Sequence, residues 1–163
     1  MLWTLLVGLA VAQDGVRIGY GDRILAALGD RTVDGTWKVA AKVTDSFCPD
    51  AFTGDIALGS TSQLSMSVKM EAPFAVKGTV TGNTSFPALE GEFELDDKGA
   101  PTLVLRGTAP GAAGATATRA SAEWRLAPSG AGWRGTRKVI AVANAPGVGV
   151  VGCFVEYEVL LTQ

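Results

Sequence analysis

The chain contains no histidine. That absence removes imidazole zinc sites, Ser-His and Cys-His nucleophile pairs, and any histidine proton shuttle. Basic residues are not in excess either: Lys plus Arg is 14 against 16 Asp plus Glu, a formal charge of −2. No basic excess is available to neutralise a phosphate backbone, so nucleic acid is not an expected partner. Long apolar runs are missing too. The run from Met1 to Ala12 is far shorter than the roughly 20 residues a bilayer core requires, and no membrane span is expected. Cysteine is confined to Cys48 and Cys153, without the close pairs that zinc sites use. What is present is 21 glycines and 47% apolar residues with only 18% charged, in a chain of 163. That composition predicts a single folded domain, not a disordered chain.

The first residues end in Ala10-Val11-Ala12 followed by Gln13-Asp14. This small-x-small pattern after an apolar run predicts a signal peptide over 1–12, although no Lys or Arg precedes the run. The alternative is a hydrophobic first strand that stays in the fold. No cysteine lies near the cleavage point, so lipid attachment there is not expected. Export predicts a secreted or periplasmic domain, and in an oxidising compartment Cys48 and Cys153 are expected to pair.

Residues 13–34 read as an N-terminal segment with one short helix, Asp22 to Leu28, capped by Asp22 and stopped by Gly29. From Gly35 to Gln163 the pattern alternates with a period of two. Trp37, Val39, Ala41 and Val43 oppose Lys38, Lys42 and Thr44. Leu64, Met66, Val68 and Met70 oppose Gln63, Ser65, Ser67 and Lys69. Phe93 and Leu95 oppose Glu92 and Glu94, and Ala120, Ala122, Trp124 and Leu126 oppose Arg119, Ser121, Glu123 and Arg125. Cys153, Val155, Tyr157, Val159 and Leu161 form the inward face of the last run. One apolar and one polar face on nearly every strand predicts an all-β fold: a single antiparallel up-and-down β-barrel preceded by the helix.

Nine segments alternate, near 36–44, 54–59, 62–71, 74–82, 86–96, 101–109, 116–127, 132–143 and 149–162. A nine-strand meander would place Cys48 and Cys153 at opposite ends. A disulfide needs their Cα atoms within about 7 Å, so the barrel should have about eight strands. Segment 54–59 is the one to remove, as part of a long bent strand over 54–71.

Several motifs have plain readings. Gly147-Val-Gly149-Val-Val-Gly152 matches the dinucleotide fingerprint in letters, but a strand follows it instead of a helix, so it reads as a glycine-rich turn. Glu90, Glu92, Glu94, Asp96 and Asp97 lie in a row on one face and its turn, and read as a solvated surface. Asp45, Asp50 and Asp55 flank Cys48 without the spacing of a calcium loop. Asn83-Thr84-Ser85 is a sequon only in a eukaryotic source. No cofactor, metal site or catalytic residue is expected.

Arg137 is the misfit. With Arg134, Thr136 and Lys138 facing outward, Arg137 shares the inner face with Trp133 and Val139. An inward guanidinium must be paired, meet a ligand anion, or reach water through a β-bulge or a barrel end.

Gly35-Thr36-Trp37, opening the first strand of an eight-strand meander, resembles the G-x-W start of lipocalins and the avidin group, the calycin-type barrels. The resemblance implies structural roles for Gly35 and Trp37, with Trp37 plugging the closed end. It also implies a late-strand arginine packed across that tryptophan, a part that Arg137 could take although it precedes the last strand. The other lipocalin motifs and the polar biotin-binding set have no counterpart here. Secreted bacterial metalloprotease inhibitors are similar as small barrels with a G-x-W start and one disulfide, but their short cysteine spacing is not matched.

Two functions fit these features. The first is an exported, non-catalytic binding module whose open end takes a small apolar or lipid-like ligand. Arg137, Trp124, Trp133, Met66, Met70 and Tyr157 would contact it, and Arg137 would meet a carboxylate on an anionic ligand. The alternative is a protein-interaction or protease-inhibitor-like domain with a solid core, using rim loops at Phe47–Phe52 and Gly107–Gly114.

Overall fold

The computed structural model describes residues 19–48, 57–71, 74–82, 85–110, 117–145 and 147–163. The leader, Asp50, Asp55 and Asn83 lie outside the described residues. A helix, α1, covers residues 19–28. Eight strands follow: β1 (Gly35–Phe47), β2 (Thr61–Met70), β3 (Ala75–Thr81), β4 (Ala88–Leu95), β5 (Pro101–Pro110), β6 (Ala117–Ser129), β7 (Gly132–Ala145) and β8 (Gly149–Thr162). Each pairs with its sequence neighbour, and β8 pairs back onto β1, so the sheet is a closed antiparallel up-and-down barrel.

Alternation decides which side chains go inside. On β1, Trp37, Val39, Ala41 and Val43 are buried while Lys38 and Lys42 are exposed. A one-residue slip would turn this whole set into water, so each register is firmly specified. Residues 57–60 do not extend β2, as a bent 54–71 strand would require. They form a turn in which Ser60 N–H donates to the Ala57 carbonyl, and Gly59 N–H and the Ser60 carbonyl bond the backbone of Val43. That contact sits beside the register shift between Val43 and Asp45, where β1 bulges against β8. Two further boundaries differ from expectation. β1 runs on to Phe47, and Gly107 to Pro110 belong to β5, paired with β6, and not to a rim loop.

The helix begins by residue 19, so Asp22 lies inside it and does not cap it. Gly29 ends it as expected, with φ +59° and its N–H on the Leu25 carbonyl. Gly21, Ile24 and Leu28 form its buried stripe. Tyr20 meets Phe74 edge-on at 6.2 Å, which places α1 at the end where β2 turns into β3. Here Gly35 takes φ +135°, a backbone conformation that disfavours side chains. Trp37 is 1% exposed, and its Nε1–H donates to the Val33 carbonyl at 2.8 Å. Trp133 packs on Phe93 across the same end, with centroids 5.8 Å apart. The helix end is thus closed by aromatic bulk.

At the other end Cys48 and Cys153 form a disulfide with a Cα separation of 4.3 Å across 105 positions. The pair ties the end of β1 to β8 and fits an oxidising compartment. The β7–β8 connection carries Gly147 and Gly149 at φ +78° and +93°, so the fingerprint-like letters serve a turn between strands. Among the described residues no helix is long and apolar enough to cross a membrane.

The acidic row on β4 is partly paired. Glu94 bonds Arg125 and Arg106, and both arginines bond Glu123, giving a closed ring of four charges across β4, β5 and β6. At the centre of this ring lies Val104, which faces outward by strand parity yet is fully buried. The arginine stems cover it.

Candidate functional site

The inward residues change character along the strands. Toward α1 they are Trp37, Trp133, Phe93, Leu103, Leu126, Val159 and Leu161, all buried to within 1%. Toward the disulfide, β5 to β8 offer Gly107, Ala109, Ala120, Ala122, Val139, Ala141, Ala143 and Val155. Ala120, Val139 and Ala141 face inward by parity, yet they remain half-buried, as does Tyr157. Other inward residues of this half are buried: Ala122, Ala143 and Val155 lie within the core, and Val43, Cys153 and Val155 form a small cluster on which Ala141 and Tyr157 pack.

Arg137 lies one inward step below Val139, toward the helix end. Its registers with β6 and β8 run without a shift at this position, so no bulge turns it outward. It is 8% exposed, the one charged side chain in the buried set. Trp124 and Tyr157 are its register neighbours on β6 and β8. The guanidinium carbon lies 5.1 Å from the Trp124 ring and 4.9 Å from the Tyr157 ring. Phe86, in the segment leading into β4 on the opposite wall, approaches to 5.9 Å. These three rings form a cage that compensates part of the cost of burying the charge.

The cage supplies ring faces but no hydrogen bond in the structure. Arg137 Nε and Trp124 Nε1 are both buried donors without an acceptor among the described residues. No described carboxylate pairs with Arg137, although Arg106, Arg125 and Arg134 all have one. Burial pushes the Arg137 guanidinium below its ordinary pKa, with the electrostatic interaction with Tyr157 acting in the opposite direction. An orphaned donor in a buried position costs roughly 1–3 kcal/mol, and more when charged.

The expected site residues therefore divide. Arg137, Trp124 and Tyr157 are brought together. Trp133 lies at the closed end against Phe93, away from the cage. Met70 ends β2 near α1, its backbone N–H on Asp34 Oδ1 at 2.6 Å. Met66 is fully buried in the core between Trp37 and Val80, its register partners. Arg137 does not pack across Trp37, as the calycin likeness implied, because its guanidinium is held over Trp124. Phe86 was not expected at the site: it heads the 86–96 segment with the opposite parity to inward Leu89, Phe93 and Leu95, but it precedes β4, which begins at Ala88, and is buried.

A cleft of about 240 Å3 opens at the helix end, lined by Asp30, Arg31, Gly130, Gln163 and the edges of Trp37 and Trp133. Both tryptophans are 1% exposed, so they offer it almost no apolar surface. Arg31 is also engaged there, donating to the Gly130 carbonyl at 2.8 Å. This cleft is a weaker candidate than the caged arginine. Among the described residues no cluster of acidic or cysteine side chains could hold a metal ion. Compared with known proteins, the chain matches no protein-family model, no curated protein and no solved structure.

Proposed function

We propose that this is an exported, non-catalytic binding module that takes a small apolar or lipid-like ligand into the disulfide end of its barrel. The carrying observation is that Ala120, Val139, Ala141 and Tyr157 point inward and yet stay accessible, while the helix end is packed solid. A lumen lined by Ala and Val lacks the donors and acceptors that sugars or nucleotides need on leaving water, but it suits an aliphatic or aromatic body. The same proposal includes the cleaved leader and a calycin-type relationship, which the G-x-W start and the barrel order support. Native mass spectrometry of protein from its own host should reveal a retained small molecule, and an apolar fluorescent probe should bind saturably. Absence of both would remove this reading.

A second reading has its own observation. On the outer wall near the disulfide, Phe47, Phe154 and Ile140 stand side by side on β1, β8 and β7. Phe47 is 74% exposed, Val150 72% and Ile140 52%. Exposed apolar neighbours of this kind suit a protein partner. Probe binding unaffected by Ala141→Leu, together with stable capture of one partner lost on Phe47→Ser, would favour it.

A further inference from the structure

The lumen reading leaves the chemistry of the ligand's head group open, and the cage constrains it. Arg137 is more than nine-tenths buried and carries a full positive charge that no described side chain neutralises. Among the described residues its Nε–H has no acceptor, and neither has the Nε1–H of Trp124, whose ring lies 5.1 Å from the guanidinium carbon. Two orphaned donors in one cage are expensive for an empty protein and useful to one acceptor-rich group. Buried charges persist where they are paired, so the missing partner should carry one negative charge. A phosphate monoester brings nearly two at neutral pH, and with a single cation in the cage it would stay under-neutralised. A carboxylate matches in charge, in planarity and in its two acceptor oxygens.

Resting on the binding role proposed above, we infer that the ligand is a carboxylic acid with an apolar tail, its carboxylate accepting from Arg137 and from Trp124 Nε1. The tail lies along Ala120, Val139 and Ala141 toward the disulfide end. Phe86 and Tyr157 hold the guanidinium in place. Arg137 and Trp124 are then the residues that set specificity for the head group, while the alanine-rich wall accepts tails with little discrimination.

The test compares probes that share a tail. Dodecanoate, dodecanol and dodecyl phosphate are titrated into the oxidised protein, with tryptophan fluorescence and calorimetry as readouts. Dodecanoate should bind at least tenfold more tightly than either of the others. Arg137→Met should erase that preference while leaving dodecanol affinity within about twofold, a result that a merely structural arginine would not give. Trp124→Phe keeps the ring, removes the donor, and should weaken dodecanoate several-fold with no effect on dodecanol. Equal affinity for acid and alcohol overturns the head-group assignment but keeps the lumen. Tighter binding of dodecyl phosphate overturns the monoanion assignment. Failure of all three probes to bind removes the lumen and this inference together. If Arg137→Met does not fold, Trp124→Phe and the wild-type preference decide the matter.

Discussion

Toward α1 the barrel holds Trp37, Trp133, Phe93 and Leu161 in near-complete burial, whereas toward the disulfide the inward side chains are mostly alanines and valines, of which Ala120, Val139 and Ala141 keep some access to solvent. The binary pattern is the same in both halves: apolar inward, polar outward, period two. What differs is side-chain volume. Large rings fill the cross-section in one half; the other is built from small side chains, some buried and some half-buried, with a cation where the two halves meet. One end therefore carries most of the packing energy, and the other is where the proposed ligand would enter.

The sharpest way to break this contrast is at the closed end. Trp37→Ala should destabilise the protein by about 3–5 kcal/mol, the usual range for deleting a buried aromatic. Thermal or urea unfolding would show it, and an unchanged midpoint would mean that the helix end is not the packed end. Next in size is the disulfide. Replacing Cys48 and Cys153 by serine should cost about 2–4 kcal/mol. The wild-type protein, denatured but unreduced, should show no free thiol. Hydrogen exchange in the double variant should quicken at the Cys48 end of β1 and in its β8 partner, with β1 near Trp37 unchanged.

A smaller effect is expected where the proposed lumen lies. Ala141→Leu should cost less than about 1 kcal/mol and should block the apolar probe, whereas overpacking a filled core would cost about 1–3 kcal/mol. Differential scanning calorimetry with a probe titration separates the two. The smallest change belongs to the outer wall. Hydrogen bonding from Arg125 holds Glu123 below its usual carboxylate pKa, against desolvation and with help from Arg106. Since the folded pKa is depressed, its stabilisation is complete above the unfolded pKa and disappears as pH falls through the folded one. Glu123→Gln should cost about 0.2–1 kcal/mol at neutral pH for so exposed a pair. The cost should vanish in acid, and salt should shrink it.

Much of the fold was legible because period-two alternation is a local signal. Trp37, Val39 and Ala41 declare their face without reference to anything distant, and the pairing of Cys48 with Cys153 was enough to reduce nine segments to eight strands. Boundaries were harder. Gly107 and Pro110 look like loop residues, yet β5 carries them because β6 supplies partners through Arg119. Within the site, parity turned Arg137 inward correctly, but its neighbours depend on the register between strands and on the far wall. Phe86 reaches the guanidinium from just before β4, where the parity of the 86–96 run would have turned it outward. For the same reason the ring over Val104 could not be read from the acidic row alone, since its arginines come from β5 and β6.

The disulfide has a consequence for the route by which the barrel forms. The pairing of β1 with β8 is the seam that closes the cylinder, and it joins parts of the chain far apart in sequence, as Ala41 with Val159. In a reduced chain that seam is the slowest meeting to arrange, because a long loop must close before any contact rewards it. In an oxidised unfolded chain Cys48 and Cys153 already hold the two seam strands together across their 105-residue separation. The contact of highest order becomes a local one, and closure can nucleate at the tether and run down β1 and β8 toward Trp37. Oxidised protein should therefore refold faster than reduced protein even at matched stability, so the bond that braces the open end also sets the direction in which the cylinder zips shut.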